Sequence, residues 1–205
     1  MIDSHEQNVT SVAETRRSWR VLALLGAVAL AAELGGESVR LLARYDRAGL
    51  EGGELWRLAT AHVVHLGWGH LWPNLLALGL IGGLFNDVLK ARDWLIIGAG
   101  SAAAIDAGLY FLDPTVGWYV GLSGVLHGFV AGGTVALLLA RQSFGALLGA
   151  GLAAKLAFEQ LVGPIPFTAA ATGGPVIVAA HLYGSLGGLA AYAGAHFVRR
   201  NGSQL

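Results

Sequence analysis

From Val116 to Ala140, and again from Val176 to Val198, the chain contains no Asp, Glu, Lys or Arg. A helix that crosses a bilayer core needs about 20 mostly apolar residues, and runs of this kind have few other uses. Four more stretches approach the requirement: Trp19 to Leu34, His70 to Leu89, Trp94 to Leu112 and Phe144 to Val162. The last is the weakest, since Lys155 and Glu159 lie inside it. Composition points the same way, with 55% apolar and 13% charged residues in a chain of 205, against roughly 25% charged in an ordinary soluble domain. The pattern predicts an all-α integral membrane protein. Six spans would form one membrane domain over residues 19–198, between tails at 1–18 and 199–205, with the first 15 residues and the end from Asn201 disordered.

Charge supplies an orientation. With the N-terminus in the cytoplasm, Arg16, Arg17, Arg20, Lys90, Arg92, Arg141, Arg199 and Arg200 all fall inside, as the bias of cytoplasmic loops toward Lys and Arg requires. Both termini are then cytoplasmic. The first segment also fits a signal peptide, because three arginines precede its apolar run. The loop from Gly35 to Gly69 interleaves apolar and charged residues and is expected to lie on the outer interface as short amphipathic helices. A formal net charge of zero and the lack of any Lys/Arg block exclude nucleic acid as the main partner. The absence of cysteine excludes disulfides, a thiol nucleophile and Cys-ligated zinc.

Polar side chains are expensive in a membrane, so each asks for a reason. His70 and Asn74 stand at the outer end of the second span, while Ser123 and His181 are read as about two turns into the fourth and sixth. Four polar residues on three helices thus share one depth. A serine hydroxyl becomes a nucleophile when a neutral imidazole takes its proton, and the oxyanion that follows needs donors such as Asn, His or a backbone N–H. Gly124, Gly128 and Gly132 recur along one face of the fourth span, and Gly184 and Gly188 share a face with His181. Two such faces in contact would bring Ser123 and His181 within hydrogen-bond reach.

These residues carry a family resemblance. His70-x-x-x-Asn74, Gly121-x-Ser123-Gly124 and His181-x-x-Gly184-x-x-x-Gly188 resemble, in order and spacing, the motifs of the rhomboid intramembrane serine proteases. Trp56-Arg57, Thr60, His65 and Gly82-Gly83 match as well. The segment from Gly121 to Gly128 looks most like the rhombosortase branch, bacterial rhomboids that trim proteins bearing a C-terminal Gly-Gly sorting tail (GlyGly-CTERM). The resemblance implies a six-helix rhomboid-like bundle in the bacterial inner membrane acting as a serine endopeptidase. It makes Ser123 the nucleophile and His181 the general base, with His70, Asn74 and the Ser123 N–H as oxyanion hole. Gly121, Gly124, His127 and Gly184 would support the site. No aspartate completes a triad, and His127 stands where many rhomboids place a tyrosine that packs on the catalytic histidine. No cofactor or metal is implied. The partners would be a membrane-anchored protein substrate and the bilayer itself.

Bland readings stand beside these. His127 could be packing alone, and Asp106 a polar packing contact. Lys155 and Glu159, four apart on a helix, are read as paired with each other. His62, His65 and His70 lack the acidic partner and spacing of a zinc protease. Trp56 and Arg57 are expected to anchor the outer loop through backbone carbonyls. The stretches Gly163 to Thr168 and Gly173 to Pro175 form either a cap over the site or a plain connector. The rivals in function are a general rhomboid with other single-span substrates, a small transporter using His70, Asp106, Lys155, Glu159 and His181 as a polar path, and a catalytically dead binding protein.

Overall fold

The computed structural model describes residues 4–166, 168 and 172–202. Along the chain run α1 (Ser4–Leu34), α2 (Gly36–Ala43), β1 (Tyr45–Asp46), α3 (Arg47–Glu51), α4 (Arg57–Thr60), α5 (Trp68–Phe85), α6 (Ala91–Phe111), β2 (Trp118–Tyr119), α7 (Ser123–Leu139), α8 (Phe144–Leu161) and α9 (Val178–Gly202). Among the described residues six helices have 17 residues or more, and each overlaps one of the expected apolar stretches. Two of them run further than expected. α1 reaches back to Ser4 and α9 on to Gly202, so much of both polar ends is helical rather than disordered. Residues 1–3 and 203–205 of the expected tails lie outside the described residues.

The fourth stretch departs most from its sequence reading. Val116 to Leu122 is not helical, and Trp118–Tyr119 instead pairs antiparallel with Tyr45–Asp46. Gly121 explains where the helix can begin. Its φ of 121° is open to glycine and strained for any L side chain, and its N–H donates to Ala61 O at 2.9 Å. Ser123 is therefore the first residue of α7, not a residue two turns inside a span.

α7 is the central helix, packed against α5, α6, α8 and α9. Phe129 meets Trp94 of α6 edge to face at 5.0 Å. The outward faces stay apolar. Leu76 and Leu80 on α5, Leu147 on α8 and Phe111 on α6 are each 66–75% exposed, a belt that water would not tolerate across a whole bundle. Among the described residues, by length and composition α6 alone is apolar enough to cross a membrane; α1 from Ala13 qualifies only with α2, from which it bends by 117°, and α7 is apolar but short.

The two ends of the bundle differ in kind. At one, Ser18 Oγ donates to Leu89 O (3.3 Å), Ala91 N–H to Glu14 Oε1 (3.3 Å), and Arg199 to Asp93 Oδ1 (2.8 Å). These bonds gather the basic ends of α1, α6 and α9. At the other, residues 35–67 fold as short helices held by Arg57, which donates to Leu41 O and Arg44 O at 2.9 Å each and pairs with Glu54. Trp56 Nε1 donates to Leu42 O (3.2 Å) and Thr60 Oγ1 to Ala43 O (2.6 Å). Trp56 and Arg57 are thus anchors of this loop, through backbone carbonyls as expected.

Candidate active site

The glycines decide how near α7 and α9 come. A methyl group on Gly184 would collide with Gly124 O, and one on Gly188 would stand 2.5 Å from Gly128 O. One on Gly128 would lie 2.6 Å from Gly184 O. The helices meet backbone to backbone, as small residues permit. Gly132 does not share this contact; it faces Ile97 of α6. With the axes so close, His181 Nε2 lies 3.1 Å from Ser123 Oγ.

The second ring nitrogen of His181 is also engaged. Its Nδ1 lies 2.9 Å from Glu159 Oε2 on α8, and the other oxygen, Oε1, accepts from Lys155 Nζ at 2.7 Å. The pairing of Lys155 with Glu159 is present, yet it accounts for only half of this carboxylate. His127, one turn along α7, stacks on the His181 ring with centroids 4.1 Å apart and planes 16° apart, while its Nδ1 is bonded to Ser123 O at 2.7 Å. Two aromatic or ionic neighbours therefore restrain His181 in addition to the glycine contact.

Around the serine stand further donors. As the first residue of α7, Ser123 has a backbone N–H with no carbonyl one turn back to bond, at the end of the helix where the peptide dipoles favour negative charge. His70 Nδ1 accepts from Leu66 N–H at 3.3 Å, which leaves the proton on Nε2. That side of the ring lies against Gly121: a methyl there would come within 3.1 Å of Nε2. Asn74 gives one amide N–H to His70 O at 2.8 Å. α5 begins two residues before His70, at Trp68, and Pro73 falls in its second turn. His65 accepts from Leu122 N–H at 3.4 Å and so ties the loop before α4's successor helix to the residue preceding Ser123. Burial, and then the neighbouring His70 charge, push the His65 imidazole down to about 3, which keeps it a neutral acceptor.

Ser123, His181, His70, Asn74 and Glu159 all line one cavity of about 680 Å³. Its other walls are mainly apolar, from α5, α7 and α8, and Ile165, Thr168, Thr172 and Pro175 close it from the segment after α8. That segment borders the cavity as a cap would; its residues 167 and 169–171 lie outside the described residues.

Residues 52–196 match the family model described as the Rhomboid domain. The chain belongs to the rhomboid family. It is also 28% identical over 140 residues to YdcA of Bacillus subtilis strain 168, a candidate rhomboid protease, over 68% of this chain and 67% of that protein. Rhomboids are intramembrane serine proteases, which makes this a membrane-embedded protein of proteolytic class acting on membrane protein substrates.

Within this rhomboid the sequence motifs converge in space: Ser123, Gly124, His127, His181 and Gly184 meet at the α7–α9 contact, with His70 and Asn74 facing them from α5 and Gly121 against the His70 ring. Glu159 was legible as an ion-pair residue but not as a neighbour of His181. The signal was available, since Glu159 stands two residues before the end of α8 and at the same end of the bundle as the start of α7. Among the described residues His62, His65 and His70 do not form a group of metal-ligating donors. The donor atoms that do gather belong to His127, Glu159 and His181, all within 4.8 Å of one another, and the Lys155 ammonium already sits on that carboxylate. Asp106 meets His62, 3.3 Å from its Nε2, inside the bundle.

Proposed function

We propose that this rhomboid is a serine endopeptidase in which Ser123 is the nucleophile and His181 the general base. The observation that carries the reading is the 3.1 Å approach of His181 Nε2 to Ser123 Oγ at the wall of a cavity large enough for a peptide segment. Oγ attacks the scissile carbonyl as its proton passes to Nε2, and the same proton then goes to the leaving amine. The oxyanion is met by the Ser123 N–H, by His70 Nε2–H and by the Asn74 amide, which can turn from His70 O. Water entering the cavity hydrolyses the acyl-enzyme. Gly124 and Gly184 serve by letting backbone approach backbone, Gly121 by leaving room for the His70 ring, and His127 by holding the His181 ring.

Six spans, with both termini cytoplasmic in a bacterial inner membrane, would put this site near the outer face. Its substrate is then the anchoring segment of a membrane protein, opened at small residues that weaken its helix. The Gly121 to Gly128 segment favours C-terminal Gly-Gly tails of the rhombosortase kind over other single-span substrates. Reporters with each type of anchor, co-expressed with the enzyme, test both levels. The Gly-Gly tail should be cut at its small residues, less so after Gly-Gly→Leu-Leu, and not at all by Ser123→Ala or His181→Ala, the double mutant being no worse than either. Cutting of the other anchors alone leaves a general rhomboid protease. Clear cleavage by purified Ser123→Ala overturns the assignment of the nucleophile.

A further inference from the structure

Glu159 is a strange residue to bury at the end of a membrane helix. Its side chain is 3% exposed, and an ionised carboxylate in such surroundings is tolerated only when every lone pair finds a donor. Lys155, four residues earlier, would satisfy one oxygen and could do so anywhere along α8. The second oxygen reaches across to α9 and takes the imidazole nitrogen that faces away from the serine.

We propose that Glu159 is a positioning residue for His181, so that this rhomboid works with a Ser123–His181–Glu159 relay in place of a bare dyad, while Lys155 pairs with the carboxylate's other oxygen and is not needed for the Glu159–His181 bond. The inference rests on the protease reading above. Its chemistry follows from the two imidazole nitrogens. A carboxylate oxygen can only accept, so Nδ1 must carry the proton and Nε2 must present its lone pair to Ser123 Oγ. When Nε2 receives the serine proton the ring becomes a cation, and Glu159 at 2.9 Å stabilises it without taking a proton itself. The Lys155 ammonium at 2.7 Å sits on the far oxygen, beyond the ring. His127 closes the remaining freedom: its stacking on one face of the ring opposes rotation out of the plane shared by Ser123 and Glu159.

Three side chains from α7, α8 and α9 are thereby in line, Oγ to Nε2 at 3.1 Å and Nδ1 to Oε2 at 2.9 Å. An ion pair on α8 that served only α8 would not require this registration with α9.

The test uses the full chain in proteoliposomes with a single-span substrate. Glu159→Gln keeps shape and volume, but its amide can donate to Nδ1 and so favour the wrong tautomer. We expect kcat to fall about 100- to 10,000-fold, with KM changed by no more than a few-fold. Lys155→Met removes the ion pair and spares the Glu159–His181 bond, and its kcat should fall far less. Equal losses in both variants would mean that Glu159 serves the ion pair alone and would overturn the proposal, as would unchanged kcat in Glu159→Gln while Ser123→Ala is inactive. Cleavage by Ser123→Ala instead overturns the protease reading beneath it. Side-chain nitrogen NMR of the wild type, with histidine labelled and His181 assigned by its loss in His181→Ala, needs no Glu159 variant to fold. Protonated Nδ1 with unprotonated Nε2 is the expected state; the opposite tautomer refutes the relay.

Discussion

At the scale of single residues, the site depends on polar groups whose hydrogen-bond roles are set by neighbours. His65 is the clearest outside the spans. It is 1% exposed, and its Nε2 must stay unprotonated to accept from Leu122 N–H, which holds the residue before Ser123. Burial first, and the charge of His70 second, lower its pKa to about 3, against 6.5 for a free imidazole. Between those values the unfolded chain binds a proton that the folded chain does not. Stability from this group is therefore complete above pH 6.5 and declines as pH falls toward 3. We expect the thermal midpoint in detergent to drop across that window more steeply in wild type than in His65→Gln, whose side chain can still accept from Leu122. Parallel curves would show that His65 contributes nothing to the acid sensitivity.

At the scale of elements, the α7–α9 contact governs whether Ser123 and His181 meet at all. Gly184 lies against Gly124 O, whereas Gly194, nearly three turns further along α9, has nothing within 4 Å of where its methyl would be. Gly184→Val should push the helices apart, with a cost of about 1–3 kcal/mol from overpacking and a loss of nearly all cleavage. Gly194→Ala, in the same helix, should keep activity and gain up to about 1 kcal/mol through helix propensity. Comparable activity in the two variants, measured on the same reporter, would rule out close approach as the function of the glycine face. The beginning of α7 is a second element-level device. Gly121 takes a backbone conformation that only glycine holds without strain, and the helix therefore starts at the serine, with its free amide beside the hydroxyl.

At the scale of the whole molecule, the bundle is apolar on its outer faces and gathers a group of polar side chains in one interior, otherwise mainly apolar cavity. This division explains why most of its helices look marginal as membrane spans one at a time. α5 carries His70 and Asn74, α8 Lys155 and Glu159, and α9 His181, all turned inward and all lowering the mean hydropathy of their helices. Six crossings with cytoplasmic ends can be checked directly, since a chain without cysteine accepts single reporters. Exposed positions serve best. Glu51→Cys should react with an impermeant maleimide in intact cells, and Ala13→Cys, Gln142→Cys and Gly202→Cys only after the membrane is opened. Labelling of Ala13 and Gly202 on opposite sides would require an odd number of crossings.

The residues of the chain alone determine a helical membrane bundle and the identity of its serine and histidine motifs, because apolar length and local spacing are properties of contiguous sequence. They also mark Trp56 and Arg57 as loop anchors, since amphipathic side chains amid short apolar runs have few other places to go. The strand pair of Tyr45–Asp46 with Trp118–Tyr119 and the late start of α7 were not legible, for two residues make no periodic signal and a glycine's φ depends on what its neighbours bond to. Glu159 marks the boundary most sharply. Its i,i+4 spacing announces Lys155, which is local, whereas its bond to His181 joins residues 22 apart on different helices and exists only once α8 and α9 have packed.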